Sequence, residues 1–170
     1  MGLVKDFRSY AFATKRLEAS GKHIGAQVYW KVYCIENFLR VIINSVLTAQ
    51  IGANWWNTAV DPGLAKQAAN RRAQYALQPW HSQPGAHDIY CLFLPNLNEI
   101  IRANSNLFLP IIPDIDQWMA RIEQIRLPRN IVGHMNWPTA TDTKRIDVVF
   151  SDLKALAEQL PVSGLALRVP

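Results

Sequence analysis

The chain has 170 residues, 49% hydrophobic and 18% charged, with 18 Lys and Arg against 13 Asp and Glu for a net charge of +5. That balance excludes a disordered tail, and the length suits one domain spanning residues 1–170 with a real core. The basic excess is modest, compatible with a polyanionic partner, and no Lys/Arg run is dense enough for a dedicated nucleic-acid arm.

No secretory signal opens the chain, and Asp6 stands where a myristoylation motif wants Ser or Thr. The longest apolar stretch is interrupted by charges, so no membrane span is expected and a cytoplasmic protein is. Cys34 and Cys91 both lie in apolar surroundings and read as reduced core thiols.

In chain order, Val4, Phe7, Phe12 and Leu17 among charged residues predict an amphipathic helix over about residues 4–20, with Gly21 as its stop. Residues 25–50 form the longest and most apolar segment, with apolar side chains nearly all round, which predicts a central helix. Glu36, Arg40 and Asn44 recur at i, i+4 and i+8 as a polar stripe on that rod. A buried charge is costly unless paired. The stripe is therefore either a surface Glu36–Arg40 pair or a row that faces and orients a functional site.

Residues 52–57 read as a turn carrying Trp55 and Trp56, which cannot both face inward. Core packing and a base-stacking or interface role both fit. Asp61 and Pro62 predict an N-cap and first position for a helix to about residue 77. Its Lys66, Arg71 and Arg72 suit either phosphates or a solvated face. Residues 79–86 are a loop. His81, His87 and Cys91 lack a fourth ligand and paired-cysteine spacing, so they make a weak metal set. Residues 88–108 are apolar, Phe93 included, with Pro95 marking a helix start. Asp114 caps the next helix, where Ile115, Trp118, Met119, Ile122 and Ile125 recur at three and four. A last amphipathic helix covers about residues 143–160, ended by Pro161. No β-alternation is sustained and no repeat appears. The fold class is all-α, a helical bundle.

The helix after Asp114 delivers Arg126 and then Arg129-Asn130-Ile131-Val132-Gly133-His134. This stretch joins a permanent cation, an amide and an imidazole, the groups needed to handle a phosphodiester. Asn130 and His134 share a face of a continuous helix, whereas Arg129 and His134, five apart, do not. A second copy of the motif from a partner subunit, or a helix break supplied by Pro128, would repair that.

An all-helical bundle with Arg-x4-His near its end resembles the HEPN superfamily (higher eukaryotes and prokaryotes nucleotide-binding domain), here with additional helices. The likeness also takes in residues 35–40, the Trp55-Trp56 pair, residues 88–92 and the Ile122-x2-Ile125-Arg126 approach, in all about residues 20–160. It points to the branch found in transcription-surveillance RNases and bacterial defence or abortive-infection proteins. The resemblance implies a metal-independent endoribonuclease with no cofactor, acting as a toxin or anti-phage effector on tRNA or mRNA. It implies a homodimer whose two motifs meet in a cleft, and an antitoxin or other regulatory partner. Arg129 and His134 are then the catalytic candidates, with Asn130, Arg126, Glu36 and Arg40 supporting them or binding RNA. The alternative is a HEPN module that binds RNA, nucleotide or a partner protein without cutting. In a toxin branch silenced by adenylylation a Tyr stands two places after the motif His. Asn136 occupies that place here, so this regulation is not carried over.

Overall fold

A computed structural model describes residues 5–170, and Val4 of the expected first helix lies outside them. All regular elements among the described residues are helical. The organising element is a rod over Thr14–Ile51. It joins helix α1 (Thr14–Ile24), a π-helical turn at Gly25–Tyr29 and helix α2 (Trp30–Ile51). The rod is long and apolar enough to cross a membrane by length and composition, yet 61% of its apolar window is buried inside the bundle.

Around α2 pack α3 (Trp55–Ala59), α5 (Leu94–Ala103), α6 (Ser105–Phe108) and α9 (Ala140–Val162). Ile43, Val46 and Leu47 have no exposed surface. Each such side chain contributes about 1.5–3 kcal/mol by leaving water. Helix α4 (Pro62–Ala76) lies against a 3-10 turn at Asp88–Cys91. Asp61 caps α4 through the backbone N–H groups of Gly63 and Leu64, with Pro62 at its start, as the sequence predicts. Helices α7 (Ile115–Gln124) and α8 (Arg126–Gly133) complete the bundle.

Several expectations need correction. The predicted first helix is replaced by a 3-10 turn at Phe7–Ser9 and by α1, which runs through Gly21 rather than stopping there. Phe12 and Leu17 are exposed, so no apolar stripe anchors the predicted segment. Continuation into the buried rod outweighs the roughly 1 kcal/mol that a helical glycine costs. The 52–57 turn contains most of α3. Pro161 does not end α9. That helix closes two residues later in a Schellman motif, with Gly164 at a φ of 92° and Leu165 donating to the Leu160 carbonyl at 3.0 Å. Asp114 occupies the N-cap position of α7 without a side-chain capping bond. Cys34 is half-buried and Cys91 buried, and both are free thiols.

Candidate functional site

Helix α8 carries the motif, and it is not a continuation of α7. The chain breaks at Ile125, with φ −94° and ψ 0°. Pro128 explains the position of the break. Its ring would collide with the carbonyl of Gln124 in a continuous helix, so α8 must start afresh and take Pro128 into its first turn. At the other end α8 stops on His134. Met135 N–H donates to the Val132 carbonyl at 3.0 Å and Asn136 N–H to the Ile131 carbonyl at 2.9 Å. This Schellman closure puts Met135 at a φ of 58°, a left-handed conformation that a Met rarely adopts.

Arg129 leaves α8 towards α2. Its Nε donates to Glu36 Oε1 at 2.7 Å, and Nη2 lies 2.6 Å from the same oxygen. Glu36 Oε2 also accepts from Arg40 Nη2 at 3.0 Å, and that nitrogen donates to the Leu92 carbonyl at 2.9 Å. One carboxylate thus serves two guanidiniums, and Arg40 Nε has no partner among the described residues. Both Glu36 and Arg40 are buried. The Glu36–Arg40 pair is therefore a buried support for Arg129, not a surface pair. Asn44, the third member of the expected stripe, does something else. Its Oδ1 accepts from Trp55 Nε1 at 3.0 Å and its Nδ2 donates to the Arg168 carbonyl at 3.0 Å. Arg168 N–H donates in turn to Ser45 Oγ at 2.8 Å, so this polar set ties down the C-terminal tail.

Asn130 orients the arginine rather than the histidine, since its Oδ1 accepts from Arg129 Nη1 at 3.3 Å. Arg126 makes none of these contacts. It is paired with Glu123 at 2.5 Å on an exposed face. The angular separation of Arg129 and His134 is resolved within one copy. The guanidinium runs along α8 so that Nη1 lies 3.5 Å from where a Cβ on Gly133 would stand. It thereby reaches the helix end, where His134 is exposed.

Glu36, Arg40, Arg129 and His134 line one open groove of about 780 Å³. Its walls include Tyr29, Tyr33, Asn37, Tyr90 and Phe93, none of them anticipated as site residues. The signal for the first three lies in the spacing. Tyr29, Tyr33, Glu36, Asn37 and Arg40 recur at three and four along the rod. The π turn that ends on Tyr29 widens the helix where this residue enters the groove, and such turns recur at functional sites. Phe93, read as part of an apolar core segment, is half exposed. In the run Leu92-Phe93-Leu94 the neighbours take the core, and the middle side chain is turned out.

Compared with protein-family models, curated proteins and solved structures, the chain matches none of them.

Trp55, Trp56, His87 and Arg72 serve the scaffold. Trp55 is buried and Trp56 packs beside it against the core, which settles the core-packing role. His87 stacks on Trp55 at 5.1 Å and meets Trp56 edge-on at 5.1 Å, and its Nδ1 accepts from Ile89 N–H at 3.1 Å. Burial pushes the His87 imidazole below its ordinary pKa, with Asp88 opposing and Arg72 adding to the effect. Burial likewise raises the Cys91 thiol. Arg72 pairs with Asp88 and donates to the Gly85 carbonyl at 3.0 Å, so it fastens the loop rather than facing solvent. His81, His87 and Cys91 do not converge, and no group of three or more His, Cys, Asp or Glu suits a metal among the described residues.

Proposed function

We propose that this chain is a HEPN-like, metal-independent endoribonuclease that works as a cytoplasmic toxin or anti-phage effector on tRNA or mRNA. The observation that carries the reading is the Arg129–Glu36–Arg40 cluster beside His134 in one groove, where two guanidiniums share a single carboxylate. The surplus positive charge suits a phosphodiester, and Arg129 keeps its guanidinium at the groove surface.

RNA supplies its own nucleophile. His134 takes the proton of a 2′-hydroxyl, the 2′-oxygen bonds to phosphorus, and the bond from phosphorus to the 5′-oxygen breaks. A proton passes to that leaving oxygen. The products are a 2′,3′-cyclic phosphate and a 5′-hydroxyl. Arg129 holds the non-bridging oxygens as negative charge grows on them. Each proton transfer by a placed imidazole accelerates reaction by about 10²–10⁴-fold.

One His134 performs one transfer at a time, and a second copy supplies the other. The surface around the motif supports that assembly. Leu127 and Ile131 stand at i and i+4 on α8 and Met135 just past its end; all three are exposed, and Met135 lines the groove with exposed Tyr29 and Tyr33. A homodimer closing over this stripe brings two motifs to one cleft. An antitoxin or other regulatory partner would act by occupying it.

A non-catalytic module that binds RNA, nucleotide or a partner is the second reading. It is favoured by one feature, the close pairing of Arg129 with Glu36 before any ligand arrives. A DNA strand carrying a short ribonucleotide insert separates the two. The enzyme cuts only within the insert and spares the same strand with 2′-O-methyl groups, whereas the binding module leaves both intact.

A further inference from the structure

Beyond the groove lies a second cleft of about 700 Å³, and the two share Tyr90 and Phe93 as common walls. Phe93 forms the ridge between them. The Arg71 guanidinium lies 4.4 Å from the centre of its ring and the Arg129 guanidinium 5.8 Å from it. Arg71 is held by neutral groups alone, the Cys91 carbonyl at 2.9 Å and Asn96 Oδ1 at 3.4 Å. Its neighbour Arg72 has a carboxylate partner and Arg71 has none among the described residues. Further along the cleft come Gln74, Gln78, His81 and half-exposed Tyr75.

We propose that the Phe93 ridge and the Arg71 cleft form a second nucleotide subsite, which carries the single-stranded RNA away from the scissile phosphate. This rests on the ribonuclease reading of the groove. The chemistry of the cleft matches the task. Single-stranded RNA is gripped by stacking bases on aromatic rings and on guanidinium planes, with cations following the backbone. Phe93 with Arg71 against it is such a platform, and the uncompensated charge of Arg71 meets the next phosphate. The glutamines can donate and accept at base edges. The enzyme would therefore hold at least one unpaired nucleotide beside the cut, which selects single-stranded loops over duplex.

The test is binding of a 2′-O-methyl hexa-adenylate, which lacks a free 2′-hydroxyl, followed by fluorescence anisotropy across a salt series. Wild type is compared with Phe93→Leu, Arg71→Gln, Arg129→Gln and, as a control on an exposed cation of the same helix outside the cleft, Lys66→Gln. Melting curves identify any variant that fails to fold, and Phe93→Leu keeps an apolar side chain of similar reach. The proposal expects Phe93→Leu to weaken binding about tenfold. It expects Arg71→Gln to weaken binding and to lower the salt slope by about one, with Lys66→Gln unchanged. If Arg129→Gln weakens binding while Phe93→Leu and Arg71→Gln bind as wild type, the subsite is wrong and the reading of the groove stands. If wild type does not bind the oligonucleotide, both fall together.

Discussion

Glu36 is the residue on which the candidate site depends, because its one carboxylate pairs with both Arg40 and Arg129. Removing its charge strands two largely buried guanidiniums. Removing Arg129 instead leaves Glu36 still paired with Arg40. The two substitutions should therefore differ sharply in denaturant titrations. Glu36→Gln is expected to cost about 3 kcal/mol, and Arg129→Ala about 1 kcal/mol. Equal costs would mean that the shared carboxylate is not the support described above. A second residue-scale effect concerns His87, whose folded-state pKa is depressed from 6.5 by burial. Above that value both folded and unfolded chains carry a neutral imidazole. As pH falls through it, the unfolded chain takes up the proton first, so stability declines towards the lower folded value. Protonation at Nδ1 would also remove the acceptor for Ile89 N–H. The melting temperature should fall between pH 7.5 and 5.5, and His87→Asn, which retains an acceptor, should flatten that slope. An unchanged slope in the variant would remove His87 as its cause.

At the scale of the element, the central helix and its burial were legible from the continuous apolar pattern of residues 25–50, and the cap of α4 from Asp61-Pro62. The face of the candidate site was only half legible. Glu36 and Arg40 were visible as polar residues on an apolar rod, but Asn44 was grouped with them by a spacing of eight. At about 100° per residue that leaves Asn44 roughly 80° round from Glu36. Tyr29 and Tyr33, seven residues before Glu36 and Arg40, lie within about 20° of them and share their groove. They were hidden because an aromatic on such a rod reads as core. The partner of Arg129, 93 positions away in sequence, could be fixed only by the packing of α8 on the bundle. Pro128 does set a break, but it falls at Ile125, before Arg129, so the motif stays on one helix and the break does not bring Arg129 and His134 together. The far end of α8 stores strain at Met135, and left-handed backbone costs a non-glycine residue about 1–2 kcal/mol. Met135→Gly relieves it against an entropy cost of about 1 kcal/mol, so thermal unfolding should show equal or slightly higher stability. A loss above 1 kcal/mol would show that the exposed Met side chain stabilises the fold.

Across the whole molecule, one bundle carries a charged groove, an apolar stripe beside it and a second cleft beyond Phe93. Two copies are needed to complete the proposed chemistry. Sedimentation should find a dimer, and Ile131→Glu, a charge placed in the stripe, should yield a folded monomer with little activity. An active monomer would remove the second His134 from the mechanism. The decisive measurement incubates the purified protein with mixed cellular RNA in excess EDTA. Arg129→Ala and His134→Ala run beside it, and fragment ends are analysed. Wild type alone should cleave, leaving 2′,3′-cyclic phosphate and 5′-hydroxyl ends. Intact RNA in every lane, or equal cleavage by His134→Ala, would contradict the proposed function.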